Sequence, residues 1–240
     1  MSPWPTEPLV LALSPPPATD GRGAAGRVDA DLAAWRAVLA AAAPPPRRRV
    51  QCLLRDDLVR FRVVPWNERL HRPAARHALA RQSFIDTFGE PARAWDVQID
   101  APRYGRASLA CAIDARLLAG LVAELAARGL RSAGVQPALV QAVNEQRRRL
   151  PRQGAWLVLG HEAGLTLLLV QGSQPRHVKQ LAGTAQVLDA VVQRESFALG
   201  LDAADAAPMP VLHLAQRQVN APVHVRVRAR EQVREQVQTT

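Results

Sequence analysis

The pattern of apolar and polar positions divides the chain into short strands and amphipathic helices. Runs of a few apolar residues, continuous or alternating with polar ones, are typical of strands. They predict strands at 9–13, 50–54, 59–63, 95–99, 108–113, 132–136, 155–159, 165–171, 176–181, 211–214 and 223–227. A polar tail covers 231–240. Mixed sheets flanked by helices follow from this order of elements.

The segments between these strands carry the periodicity and the end signals of helices. Helices are predicted at 29–42, 72–88, 115–128 and 137–149, and after Thr184. Asp114 is a good N-cap, Gly129 closes the same helix, and Pro137 suits the first position of the next one. In the helix at 72–88 the predicted buried stripe consists of Ala74, Ala78, Ile85 and Phe88.

Two pairs of neighbouring strands are predicted to form hairpins. Strands 50–54 and 59–63 are expected to pair through a turn at Asp56 and Asp57. The two carboxylates would point apart in such a turn, so they are interpreted as turn formers and not as an acid/base pair. Strands 155–159 and 165–171 are expected to pair through a turn at 160–164.

The formal net charge of +10 changes the list of possible partners. It rests almost wholly on arginine, since Lys179 is the only lysine. A basic chain fits nucleic acid, an anionic membrane surface or an acidic protein segment. Arginine favours planar contact with carboxylates and phosphates. The same composition can also reflect a GC-rich genome.

Five arginines are candidate partner contacts. Arg60 and Arg62 share one face of a strand, and Arg69, Arg72 and Arg76 are predicted to line one side of a helix. Two other basic sets have a purely structural alternative: residues that alternate with valine at 223–228 would prevent sheets from aggregating, and arginines at a helix end complement its dipole. The trio at 147–149 is favoured to have that second role.

Recognised catalytic patterns and targeting signals are missing. His161 is not followed by a second histidine at zinc-protease spacing, and no serine lies in a Gly-x-Ser-x-Gly turn. Cys52 and Cys111 lie in apolar strands and are expected to be buried thiols in a reducing compartment. Since the start of the chain lacks a signal peptide and no apolar run reaches the length of a membrane span, a cytoplasmic protein without enzymatic activity is expected.

Three stretches carry a resemblance to a known family. They read RVQCLLRDDLVRFRVVPW at 49–66, LAGLVAELAARGLRSAGVQPALVQAVN at 118–144 and WLVLGHEAGLTLLLVQG at 156–172. Together with the order of elements, they resemble the cytoplasmic actin-like proteins of bacterial envelope machines. These are the type IV pilus assembly protein PilM and the cytoplasmic part of the type II secretion protein GspL.

The resemblance implies a reduced actin-like, ribonuclease H-like α/β fold with two lobes of mixed sheet and flanking helices. The first lobe would cover 1–150 and contain an inserted α+β subdomain at about 67–113. A second, truncated lobe would cover 151–230. Compared with complete PilM-like proteins, the second lobe would be cut down.

The resemblance also locates a degenerate nucleotide site. In the family, two hairpins bring backbone amides to the phosphates, and an aspartate on each holds the magnesium shell. Here Gly160, Glu162 and Gly164 would shape the second hairpin, but Val158 stands at the aspartate position. Segment 9–14 offers neither aspartate nor glycine, and segment 215–218 lacks the adenosine-side glycine pair. No cofactor is expected, and this includes ATP.

The function implied is that of a scaffold peripheral to the inner membrane. Family members bind the cytoplasmic tail of a bitopic, PilN-like membrane protein and contact the pilus or secretion ATPase. The tail would lie as an extended peptide in a groove beside the inserted subdomain, about 70–113, with arginines selecting its acidic side chains. The alternatives are a basic nucleic-acid-binding protein and a working actin-like ATPase or sugar kinase.

Overall fold

The computed structural model describes residues 8–13, 24–70, 72–101, 103–161, 164–182, 188–201 and 209–214. Several sequence predictions lie outside these ranges. They are the strand at 223–227, the segment 215–218, the tail 231–240, the Thr184 cap and Glu162.

The described chain forms ten strands and five α-helices. The strands are β1 Leu9–Ala12, β2 Arg49–Leu54, β3 Arg60–Val64, β4 Trp95–Ile99, β5 Ser108–Asp114, β6 Arg131–Pro137, β7 Ala155–His161, β8 Gly164–Gln171, β9 Gln174–Ala182 and β10 Val211–Leu214. The helices are α1 Ala24–Ala42, α2 Pro73–Phe88, α3 Ala115–Ala127, α4 Ala138–Gln146 and α5 Leu188–Ala198. Short 3₁₀ turns occupy Asp56–Leu58, Glu68–Leu70, Glu90–Ala94 and Arg147–Arg149.

The strands form three sheets. The first sheet is parallel, with the order β1-β2-β6. The second sheet is antiparallel, with the order β3-β5-β4. In the third sheet, of order β10-β7-β8-β9, only the β10–β7 pair is parallel. The predicted hairpin of β7 and β8 is confirmed.

The other predicted hairpin is wrong. β2 pairs with β1 and β6, whereas β3 pairs with β5 in a different sheet. The 3₁₀ turn between them carries the buried Asp56 and leads the chain from one sheet to the next. Alternation along a strand identifies its buried face but not the strand that pairs with it, and the local pattern therefore suggested the wrong partner.

Two helices also differ from their predicted form. α1 begins at Ala24, five residues before the predicted start at 29, and its Arg27 and Asp31 form ion pairs with residues after β2. In α2 the buried side chains are Arg76, Ala80 and Phe84. These residues follow the four-residue spacing of one helix face. Of the predicted stripe, Ile85 packs against this cluster, whereas Ala74, Ala78 and Phe88 are exposed.

The central core is built by residues of all three sheets. It joins Cys52 of β2, Phe61 of β3 and Leu157 of β7 with the inner faces of α1, α3 and α4. Two smaller clusters lie between the second sheet and α2, and between the third sheet and α5. Cys52 is buried as predicted, whereas Cys111 is only half-buried. Burial raises the pKa of Cys52 to about 12 and that of Cys111 to about 11, which disfavours the reactive thiolate form.

Candidate functional site

The β7–β8 hairpin presents no acidic side chain at the position expected for a metal-holding aspartate. Val158 is 2% exposed and belongs to the cluster between the third sheet and α5, where Trp156 is fully buried. A side chain at this position therefore enters the protein core and does not face a ligand.

Gly164, the predicted turn glycine at the start of β8, is required for packing between strands. Its φ of 154° is one that side-chain-bearing residues rarely adopt, and an added Cβ would lie 1.8 Å from the backbone oxygen of Leu181 in β9. Gly160 has no such constraint, since a Cβ there would meet only Leu165 Cδ2 at 3.7 Å. Gly160 can therefore serve as a control position for substitutions at Gly164.

A Gly164→Ala variant is expected to lose about 2 kcal/mol of unfolding free energy, because β8 and β9 must move apart. Gly160→Ala should differ from the parent protein by no more than about 0.5 kcal/mol. Urea unfolding followed by tryptophan fluorescence measures both. Equal effects at the two positions would contradict the packing role assigned to Gly164.

An ion network lies beside this hairpin. Arg55 donates to both oxygens of Asp57 at 3.0 Å, and Arg27 Nη2 lies 3.2 Å from the same carboxylate. Asp31 lies 3.7 Å from Arg55 Nη2. Burial raises the pKa of Asp57, but the hydrogen bonds and charge of Arg55 outweigh it and leave the pKa lowered. His161, at the end of β7, is close enough to contribute to that lowering.

Asp56 is fully buried and holds the start of α4. Its Oδ1 accepts a hydrogen bond of 3.0 Å from the backbone N–H of Leu139, which satisfies one free amide of the helix N-terminus. Its Oδ2 and the hydroxyl of Thr166 have no partner meeting hydrogen-bond geometry among the described residues. Burial raises the pKa of Asp56 to about 7, against the opposing effects of Leu139 and the neighbouring Thr166. Sequence reasoning assigned it only a turn.

A cleft of about 490 Å³, called the first cleft below, lies between the β4–β5 connection, the end of α4 and the β8–β9 turn. The larger apolar side chains of its lining are Leu109, Val143, Leu150, Leu168 and Val170. Its charged lining consists of Asp100, Arg103, Arg106 and Arg147. An apolar floor with charged groups at the rim suits an amphipathic segment better than a fully polar ligand.

The three arginines of the first cleft are exposed and form no ion pair within the described part of the chain. Burial raises the pKa of Asp100, and the charges of Arg147 and Arg103 partly offset this effect. The rim therefore carries an excess of positive charge. Sequence analysis missed Arg103 and Arg106, and it favoured a structural role for Arg147.

Stacked side chains hold the β4–β5 connection, which carries Arg103 and Arg106. Tyr104 packs edge-on against Trp66 with ring centroids 5.0 Å apart, and the Arg76 guanidinium lies 5.0 Å from the Trp66 centroid. Arg76 Nη2 also donates to Ser108 Oγ at 2.9 Å. Arg76 is only 1% exposed. It was expected at the surface as a partner contact, and the structure corrects this: it is an internal support for the rim.

A second cleft, of about 450 Å³, lies where the edge strands β3 and β9 approach each other. It contains Arg60 and Arg62 of the predicted partner-binding set. Arg69 and Arg72 are exposed, but neither lies in α2: Arg69 is in a 3₁₀ turn and Arg72 is the N-cap of α2. The five predicted arginines therefore do not form one surface.

The order of sheets and helices is that of an actin-like α/β fold. Similarity to two solved structures with TM-scores above 0.5 supports this class. One is the PilM–PilN type IV pilus biogenesis complex, with 16% identity over 83% of this chain and 72% of that chain, at a TM-score of 0.54. The other is a Bacteroides thetaiotaomicron protein of actin-like ATPase fold, with 10% identity over 76% and 66% of the two chains, at 0.51.

The chain is also similar to the cytoplasmic domain of EpsL, an inner-membrane component of the type II secretion system of Vibrio cholerae. Identity is 15% over 78% of this chain and 72% of that chain, at a TM-score of 0.48. No protein-family model and no curated protein matches the sequence.

Two features are absent from the residues that the structure describes. No helix in this part of the chain combines the length and the apolar character needed to cross a membrane. Nor do three or more His, Cys, Asp or Glu side chains converge there in a way that could hold a metal ion.

Proposed function

We propose that this protein is a scaffold of the inner-membrane assembly platform of a type IV pilus or type II secretion system. It binds the cytoplasmic tail of a PilN-type bitopic membrane protein in the first cleft and also contacts the assembly ATPase. It acts in the cytoplasm, peripheral to the inner membrane through its partners. Its role is binding, without catalysis and without a bound nucleotide.

The observation that carries this proposal is the first cleft itself. Apolar side chains of its floor would bury the apolar residues of an extended tail, and the exposed Arg103, Arg106 and Arg147 would select acidic residues beside them. The cleft borders the predicted inserted subdomain, where a groove was expected. PilM, whose fold this chain shares, was solved in complex with PilN.

Two features argue against nucleotide binding as the main role. Val158 points into a packed core, and Gly164 is held against the backbone of β9. At these two positions the hairpin is therefore packed inside the protein. We favour nucleic acid less, because exposed arginines are dispersed over several separate elements, among them Arg49, Arg69 and Arg103.

Co-purification from membranes of the native host tests the proposal. Tagged protein should bring down a bitopic inner-membrane protein whose short cytoplasmic tail contains apolar and acidic residues. An Arg103→Glu/Arg106→Glu variant should lose that protein, since two attractive charges at the rim become repulsive. Both side chains are exposed, so the fold should be unaffected.

Arg131→Glu is the matched control, because Arg131 is an exposed arginine at the start of β6 and lines neither cleft. This variant should retain the membrane partner. Recovery of neither a bitopic membrane protein nor a secretion ATPase with the parent protein would contradict the proposed function. Equal recovery of the membrane protein with the Arg103→Glu/Arg106→Glu variant would show that the first cleft is not the binding site.

A further inference from the structure

The second cleft carries more positive than negative charge. Its cationic lining consists of Arg27, Arg60, Arg62 and Lys179, and Asp57 is the only carboxylate among its described lining residues. That carboxylate already accepts hydrogen bonds from Arg55 and Arg27. Arg62 is half-buried in β3, and its side chain has no hydrogen bond or ion pair among the described residues.

Two of the cations, Arg60 and Lys179, are held in place. Arg60 Nη1 donates to the backbone oxygens of Asp57 and Val59, at 3.0 and 3.3 Å. Burial lowers the pKa of Arg60, and the nearby positive charge of Arg27 lowers it further. Lys179 is fixed by Glu195 of α5 at 2.5 Å. An anionic group entering the cleft would reduce the repulsion among these like charges. Binding would not have to order Arg60 and Lys179 first, which lowers its entropic cost.

Apolar side chains lie among these cations. Phe88, at the end of α2, is 37% exposed, and Val178 and Leu181 of β9 are half-buried. β3 is the outermost strand of the second sheet on this side, and β9 is the outermost strand of the third. Edge strands bordered by alternating charged and apolar side chains are the surfaces that extended peptides recognise.

We propose that the second cleft is a separate docking site for an extended acidic segment of a partner protein. Carboxylates of that segment face Arg62 and Arg27, and an apolar side chain between them packs on Phe88. The positive charge of the cleft complements the negative charge of an acidic segment. An isolated phosphate would use the cations but would leave the apolar side chains among them, such as Phe88 and Val178, without a partner.

The second cleft is distinct from the first, since they lie at opposite ends of β9. The first cleft includes Gln174 and Pro175, and the second includes residues 178–182. One chain can therefore hold two segments at once. The inference does not depend on which partner occupies the first cleft, and it fails or holds independently of the proposed function.

The probe is a fluorescein-labelled peptide in which glutamate alternates with valine and one central valine is phenylalanine. Its anisotropy is measured with the whole protein at about 0.15 M salt, where weak non-specific attraction is screened. We expect saturable binding that Arg62→Glu weakens about tenfold or more. Arg62→Gln should give an intermediate affinity, and Arg131→Glu, at a position outside both clefts, should leave it unchanged. A peptide with glutamine in place of glutamate should not bind.

Photo-crosslinking gives the location. Benzoylphenylalanine at Phe88 should crosslink to the peptide, whereas the same group at Tyr104, beside the first cleft, should not. The proposal is overturned by absence of binding, by equal affinity of the glutamine peptide, or by Arg62→Glu binding as the parent protein does. It is equally overturned if the Arg103→Glu/Arg106→Glu variant loses binding while Arg62→Glu retains it, since the peptide then occupies the first cleft.

Discussion

A Val158→Asp variant is expected to be destabilised by about 4 kcal/mol and to remain unable to bind MgATP. The position is 2% exposed in the cluster under α5, so the new carboxylate would be buried without a partner. Urea unfolding gives the loss in unfolding free energy, and calorimetric titration with MgATP tests for ligand binding.

Val158→Ala is the control for lost packing alone and should cost about 2 kcal/mol. The additional loss of unfolding free energy in Val158→Asp then measures the cost of burying the carboxylate. A Val158→Asp protein as stable as its parent, or one that binds MgATP, would contradict the conclusion that this hairpin has become part of the core.

Replacing Asp56 with asparagine should stabilise the protein at alkaline pH. Because burial raises the pKa of Asp56 to about 7, above its unfolded value of roughly 3.9, the folded state holds the proton more tightly. The stability from this proton is fully present below the unfolded pKa and is lost as the pH rises through 7. Asparagine keeps the acceptor for Leu139 and stays uncharged, so at pH near 8 the gain should reach about 3–4 kcal/mol.

The measurement is urea unfolding of both proteins between about pH 4 and pH 8, the range set by the two pKa values. The curves should converge at the acid end. Asp57→Asn is the control with the opposite sign, because the pKa of Asp57 is lowered and its ionised form stabilises the fold. That variant should be less stable at neutral pH, with a difference that shrinks in acid. If the change in unfolding free energy caused by Asp56→Asn does not depend on pH, the proposed titration of Asp56 is wrong.

The parts of the fold that depend on local signals could be predicted from the sequence. Asp114 caps α3 by accepting from the Arg116 amide, and Gly129 follows the helix end with φ of 65°. The β7–β8 hairpin likewise has its signals in one short stretch. The pairing of β2 and β3 with distant strands had no local signal, since β2 takes β6 as partner across a long connection. Domain boundaries stay a prediction.

The candidate site could be predicted only in part, because it is assembled from segments far apart in the sequence. Arg103 and Arg106 become a rim only when α4 and the β8–β9 turn lie opposite them. Arg76 is hidden because Trp66 and Ser108 close over it. Arg60 and Arg62 were identified correctly as neighbours on one strand, and the structure adds the cleft that surrounds them.

The Gln180 side chain has a mechanical consequence. It donates two hydrogen bonds, of 2.7 and 2.9 Å, from β9 to the backbone oxygens of Asp56 and Val59, just before β3 begins. A ladder between strands distributes a load over many backbone hydrogen bonds, but here two glutamine side chains of β9 link the sheets, since Gln174 Oε1 also accepts a hydrogen bond of 3.0 Å from the backbone N–H of Ala107, just before β5. A force that pulls the sheets apart would act on these two side chains. The width of the second cleft would then report the applied force.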